Sequence, residues 1–415
     1  MSDLDNLQRR SLSTLMVGQA LATGAQVSMA ATVGLLSASI LGSDRLAGLP
    51  TAIGTLGTAL LASPLAIRAS RKGRRPALWT GYLLGGVGGM LAAFAGQVGN
   101  LGFLLLGMVL FGGGQAASLQ TRFAATDLAA PDRRARAIAL VVWVGAIGGV
   151  LGPVLTPFLE RSGRSLALGP WVAPILGSGL LFFAAAGWSA LRLRPDPLLV
   201  RGERSGVIDP VRRDRRQMRT AIAAVRTSPR AQLALGMVTL SQAAMVAVMT
   251  MTPLHMRDHG QADLAGLVIA AHVFGMFGLA PLVGRYADRR GNLQAGRDGG
   301  VILAVGIVLS VVAGYQPVLI FVGLFLLGLG WNFGLIAGSA LLVDSVGDEA
   351  RVGAQGLTDT LLSVLGAGAA VLSGLVKQGL GFHWLANLAT AGAMIIVVWA
   401  VMEHRRALSE AMKPA

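Results

Sequence analysis

The chain has no cysteine among its 415 residues. Disulfides and thiolate metal ligands are therefore excluded, and the redox compartment leaves no trace in the sequence. Charge is scarce as well: only 13% of residues are Asp, Glu, Lys or Arg, about half the share of a soluble chain. The sequence also lacks a Ser-His-Asp grouping and a glycine-rich phosphate loop, so no enzyme chemistry can be read from it. The formal charge of +15 does not point to nucleic acid, because nearly all the cationic residues lie between apolar runs. Arg9-Arg10 precede an apolar run in the manner of a signal peptide. No small-residue cleavage site follows, and an uncleaved first membrane helix is expected.

What is present is apolar. Hydrophobic residues make up 53% of the chain, mean hydropathy is +0.64, and 57 glycines sit among the apolar runs, where small residues let membrane helices approach closely. Runs of about 20 residues cross a bilayer. Twelve are expected, near 12–41, 46–67, 76–98, 101–125, 137–159, 170–191, 231–256, 264–287, 299–315, 317–343, 352–376 and 384–402. With the N-terminus inside, 30 of the 35 Lys and Arg residues fall in cytoplasmic segments and 5 outside. This bias predicts both termini in the cytoplasm and residence in the cytoplasmic (inner) membrane. The Arg-rich stretch Arg192–Arg230, with Pro195, Pro197 and Pro210, is read as a solvated cytoplasmic linker, with an amphipathic helix on the bilayer surface as a variant of that reading. It divides the chain into residues 1–191, 192–230 and 231–415. The expected fold is all-α, with two pseudo-symmetric six-helix bundles in one monomer embedded in lipid.

The halves share a mark. Arg71-Lys-Gly73-Arg74-Arg75 follows the second run, and Gly284-x-x-x-Asp288-Arg289-x-Gly291-Asn292 follows the eighth, offset by 218 residues. Secondary transporters are commonly built from such repeats. The second copy resembles the G-x-x-x-D-R-x-G-R-R loop of the major facilitator superfamily, and the resemblance covers essentially the whole chain. It implies alternating access around a site between two bundles, with Gly284, Asp288, Arg289, Gly291, Arg71, Gly73 and Arg74 in conformational roles. The first copy departs from the pattern, with Ala66 in place of the Gly and Ser70 in place of the Asp. Gly145-x-x-Gly148-Gly149-x-x-Gly152-Pro153 is similar to the Gly-Pro motif of drug antiporters in that superfamily, which adds Gly152 and Pro153 to the conformational set.

Ionisable groups inside a membrane are usually functional. Asp127, Asp344 and Asp359 fall near cytoplasmic ends, and Arg122 with Asp127 reads as a structural pair, a gate or part of a proton path. His272 is the one titratable side chain well inside a run; its imidazole, with an unperturbed pKa of about 6.5, suits a proton carrier or a metal. Met245-x-x-x-Met249 and His272-x-x-x-Met276 each lie on one helix face. If the two helices are antiparallel, Met245 faces Met276 and Met249 faces His272 at equal depth. Thioether and imidazole form a soft set that selects Cu(I), although Met more often fills packing gaps. These two motifs, with Gly328-Leu-Gly-Trp331-Asn332-Phe and Gln355-Gly-Leu-Thr-Asp359, resemble the CcoA-like branch of the superfamily, whose members include copper and riboflavin importers. The resemblance implies copper uptake through Met245, Met249, His272 and Met276, with copper as transported substrate and no resident cofactor. The alternative is proton-coupled movement of an organic solute, exported drug or imported vitamin. Asn332 beside Trp331 is the polar side chain expected to meet the solute, and His272 and Asp127 are the candidates for proton coupling.

Overall fold

The computed structural model describes residues 3–42, 48–205, 216–258, 265–312 and 316–411, nearly all of them helical. Long apolar helices are α1 (Asp3–Leu41), α2 (Leu49–Lys72), α3 (Arg74–Val98), α4 (Leu101–Ala124), α5 (Arg134–Ser165) and α6 (Val172–Arg192). Two short amphipathic helices follow, α7 (Pro197–Ser205) and α8 (Arg216–Thr227). Then come α9 (Pro229–Asp258), α10 (Ala265–Val273), a π turn at Phe274–Gly278, α11 (Ala280–Arg290), α12 (Asn292–Val312), α13 (Pro317–Ser345), α14 (Asp348–Leu380) and α15 (Phe382–Ala411). Among the described residues ten helices are long and apolar enough to cross a membrane, and the bent pair around the π turn makes an eleventh span. With α5, 32 residues long, the expected twelve are accounted for.

The chain forms two compact units: residues 1–129, 144–220 and 355–363 in one, and residues 130–143, 221–354 and 364–415 in the other. Helices α5 and α14 are each shared between them. Inside the first unit α3 packs on α4 and α6, and α1 on α6 and α4; inside the second, α12 packs on α13 and α15, and α9 on α15 and α13. Advancing each helix of the first scheme to its counterpart in the second half reproduces the second scheme, so the 218-residue repeat is a repeat of packing.

The repeat is also visible in the backbone. Gly73 and Gly291 end α2 and α11 with φ of 93° and 89°, and each donates its N–H to the carbonyl four residues back, Ala69 or Ala287. Their ψ values of 173° and 149° lie in a region essentially closed to residues with a Cβ. That is why both loops carry glycine there. Many buried positions are Ala, though Tyr82, Phe111 and Phe182 are buried too, while large apolar side chains such as Leu60, Phe94 and Leu372 are exposed, as befits helices whose outer solvent is lipid.

The linker does not simply run through solvent. The Asp196 carboxylate accepts the N–H groups of Arg74 (3.1 Å) and Arg75 (2.7 Å) at the start of α3, and those of Leu198 and Leu199 in α7. One carboxylate therefore satisfies the first free donors of two helices, seating α7 on the first unit. Helix α8 buries Ala221 and Val225, so its apolar face is covered by protein.

Candidate functional site

Among the described residues one span, the eighth, is a bent pair of helices. α10 runs to Val273, the π turn takes Phe274 to Gly278, and α11 leaves at 41°. Leu279, at φ −92° and ψ 4°, is the break. Its cause is local: Pro281 has no N–H to give, and its ring collides with a helical carbonyl four residues back. The extra residue of a π turn absorbs the mismatch, and such turns are frequent at functional sites.

The side chains around this break come from α9, α10, the π turn and α13. His272 is 1% exposed, and its Nδ1 lies 2.9 Å from the Leu324 carbonyl oxygen on α13. A carbonyl only accepts, so Nδ1 carries the proton and Nε2 is a lone pair; that Nε2 is buried with no partner. Asn332, fully buried, donates from Nδ2 to the Gly275 carbonyl in the π turn (3.4 Å), and its Oδ1 is also buried and bare. Trp331 donates from Nε1 to Gln242 Oε1 on α9 at 2.6 Å, and its ring meets Phe277 edge-on at 5.8 Å. Gly328 makes the approach possible: a Cβ there would stand 2.3 Å from the His272 carbonyl oxygen and 3.0 Å from the Met276 nitrogen.

The Met residues stand differently from the expected facing pairs. Met245 is buried on α9, one turn beyond Gln242, while Met249 and Met276 are half-buried. Among the described residues α9 packs along α12, α13 and α15, and α10 along α13, rather than α9 along α10. Equal depth requires two straight neighbouring helices, and the second is broken. What the structure brings to α13 is the His272 side chain, on Leu324, and the π-turn backbone at Gly275 and Met276, beside Asn332 and Gly328.

The second cluster is electrostatic. Arg122 and Asp127 do not pair with one another. Arg74, 0% exposed, holds Asp127 through Nε (2.7 Å) and Nη2 (3.2 Å) and reaches Gln355 Oε1 at 2.6 Å. Arg122 donates to Asp359 Oδ1 at 2.6 Å, both side chains being almost wholly buried. Helix α4 ends at Ala124, so Asp127 lies in the turn beyond it and faces another way. In the second unit Asp344, one residue short of Asp127 plus 218, takes the Arg134 guanidinium and the Asn292 amide (3.1 Å). A carboxylate at the end of the fourth helix of each half, just beyond α4 and in the last turn of α13, thus holds the residue that follows the loop glycine.

Asp288 accepts the N–H groups of Ala135 (3.1 Å) and Arg136 (3.2 Å), anchoring the first turn of α5. Gly284 lets that turn in, since a Cβ there would lie 2.5 Å from the Ala139 methyl. In the first unit the small residue has changed sides: Ala66 occupies the loop position, and Gly356 of α14 gives way, a Cβ on it falling 2.4 Å from the Ala66 methyl. Ser70, in the Asp position, turns its hydroxyl to the Ile67 carbonyl of its own helix (2.7 Å). Arg71 and Arg289 are exposed. Gly152 and Pro153 lie in α5, and their side-chain surroundings fall outside the described residues. Asp196 is the functional-looking residue that the sequence did not single out; a lone Asp in an Arg-rich linker carries no pattern.

Comparison with known proteins agrees with this architecture. The sequence profile of the Major Facilitator Superfamily matches residues 15–371 and 233–411. The chain is 33% identical over 403 residues to the MFS-type transporter YdeG of Bacillus subtilis, covering 95% of this chain and 92% of that one. It is 29% identical over 389 residues to the riboflavin transporter RfnT of Brucella anthropi, covering 91% and 92%. The human organic anion transporter MFSD10 (TETRAN) shares the fold at a TM-score of 0.74 and 14% identity, over 95% of this chain and 99% of that one. With a repeat of packing, a loop motif in its second half and a profile spanning nearly its whole length, the chain belongs to the Major Facilitator Superfamily and is a multi-pass membrane transporter of small solutes.

Proposed function

We propose that the transported solute is a planar organic molecule of the riboflavin type, bound at the break in the eighth span. The observation that carries this reading is the pair of buried, bare acceptors at the break, His272 Nε2 and Asn332 Oδ1. A buried polar atom without a partner costs about 1–3 kcal/mol, and transporters place substrates where helices are discontinuous. Trp331 and Phe277 supply ring surface, and Gln242 supplies a further amide. Two acceptors beside ring surface suit a flat heteroaromatic ring that offers an imide N–H and hydroxyl groups as donors. The likeness to RfnT, whose name records riboflavin, supports the same class. Both acceptors are sealed here, so flexing at Leu279 is what admits the solute.

The test is counterflow of labelled riboflavin in proteoliposomes, which needs no assumption about direction or coupling ion. Wild type is expected to exchange label, and Asn332→Leu and Trp331→Leu to lose most of that exchange. Equal exchange in all three would overturn the assignment.

One observation favours a second reading, copper. An imidazole whose Nδ1–H is held by a carbonyl presents Nε2 as metal-bound histidines do, and Met245, Met249 and Met276 flank the same spans. Copper accumulation in cells, wild type against Met249→Ala and His272→Ala, tests it; equal accumulation removes copper. We place the protein in the cytoplasmic membrane with both termini inside, on the Lys and Arg bias alone, and as a monomer.

A further inference from the structure

The exposed side of α15 is hollowed by a groove of about 550 Å³, lined by Ala391, Met394, Ile395, Val398, Trp399 and Met402. Steps of three and four residues put these side chains on one helix face. The Trp399 ring is one wall; it lies over Gly236 of α9, where a Cβ would come within 3.2 Å of it. From Ala391 to Met402 the groove runs about 16 Å along the helix, close to half of the roughly 30 Å hydrocarbon thickness of a bilayer. The same periodicity carries this face past Met402 to Arg405 and Arg406, both exposed. Glu403, one turn beyond Trp399, stands between Arg230 at the start of α9 (3.9 Å) and Arg406 (3.6 Å). Both distances are too long for hydrogen bonds, and Oε2 of Glu403 is buried and bare. One end of an apolar groove therefore meets three guanidiniums and one carboxylate.

We propose that this groove binds an anionic phospholipid, with an acyl chain along Met394, Val398 and Met402 and the phosphate on Arg405 and Arg406. Length selects a lipid: the groove spans one leaflet, as an acyl chain does, and its basic end falls where a headgroup would lie. Charge selects the headgroup. Guanidinium pairs with phosphate through two parallel hydrogen bonds, and an excess of cations favours a lipid that brings no ammonium of its own. Side-chain type argues against a second copy of the chain. Helices that associate within a membrane approach through small residues, whereas this face presents Met394, Ile395, Val398 and Met402, each well exposed. Methionine is unbranched and adaptable, and so moulds to a flexible acyl chain. On the topology proposed above the basic end is cytoplasmic, the side on which basic clusters beside membrane helices attract anionic lipid. The site lies wholly within the second unit, and the inference does not depend on which solute is carried.

Native mass spectrometry of the purified, delipidated full-length protein tests this, with dioleoyl phosphatidylglycerol and dioleoyl phosphatidylethanolamine added separately at equal concentration. Wild type is expected to bind phosphatidylglycerol the more tightly. Arg405→Gln should weaken that binding about fivefold, and Arg405→Gln with Arg406→Gln about thirtyfold, from the attraction of each arginine for an anionic lipid. Val398→Trp fills the groove, leaves the arginines in place, and is expected to abolish the preference. Leu372→Trp, on the exposed face of α14, should keep it. The comparison of the two lipids on wild type stands even where a variant fails to fold. Equal binding of both lipids by wild type overturns the proposal. So does a preference that survives Val398→Trp, which would be surface charge alone, or one lost equally in Leu372→Trp. A dimer in place of a lipid adduct would assign the groove to a second copy of the chain and overturn it as well.

Discussion

Gly356→Ala is the substitution whose consequence can be worked furthest from the structure. The added Cβ would sit 2.4 Å from the Ala66 Cβ, while its next neighbours, Ser63 Cα at 3.6 Å and the Ala62 oxygen at 3.7 Å, are at ordinary contact. Carbon atoms prefer about 3.5–4.0 Å, and both atoms are fixed to helix backbones, so neither can swing aside. Overpacking of this kind costs about 1–3 kcal/mol. Ala66→Gly alone removes a methyl and places Gly inside a helix, costing about 1 kcal/mol. Combining the two removes the collision, and the gain of Ala at one site offsets its loss at the other. The double variant is therefore expected within about 1 kcal/mol of wild type, with a favourable coupling of about 1–3 kcal/mol. A double-mutant cycle on unfolding of the purified protein in detergent measures it. If the two single effects simply add, the claim that Gly356 compensates for the alanine in the loop is refuted.

Other substitutions probe separate parts of the account. Arg74→Met leaves Asp127 as a buried uncompensated charge and should cost about 3–5 kcal/mol, whereas Arg74→Met with Asp127→Leu should cost clearly less; the same unfolding assay compares them. Gly328→Ala drives a Cβ to 2.3 Å from the His272 carbonyl and is expected to abolish riboflavin counterflow; counterflow equal to wild type would refute the close approach of α13 as a requirement. Asp288→Ala strips two N–H groups at the start of α5 of their acceptor and should cost about 1–3 kcal/mol, measurable as faster exchange at residues 135 and 136.

The architecture was readable because its signals are long or repeated. Apolar runs of membrane length, an Arg-rich divider and two glycine loops 218 residues apart each survive local irregularity. The site was readable only in part. His272 and the π turn both meet α13, through Leu324 and Asn332, but the equal-depth pairing of Met245 with Met276 required a straight eighth helix. A π turn and Pro281 change the register midway; the proline stands in the sequence, but an apolar run does not show that the helix takes it up through a π turn. Ion-pair partners were the least legible. Arg122 and Asp127 are five positions apart, yet Arg122 meets Asp359, 237 residues away. Partner choice here is decided by tertiary packing, which spacing along the chain does not show. The exchange of Gly and Ala between positions 66 and 356 likewise had only its first half visible, as a departure from the loop pattern.

The measurement that bears most directly on the solute site is equilibrium binding to the purified protein, followed by quenching of flavin fluorescence. Saturable quenching is expected with wild type, lost in Asn332→Leu and Trp331→Leu, and indifferent to copper chelation. No saturable quenching, together with Cu(I) binding that disappears in His272→Ala and Met249→Ala, would contradict the assignment of an organic solute to the break in the eighth span.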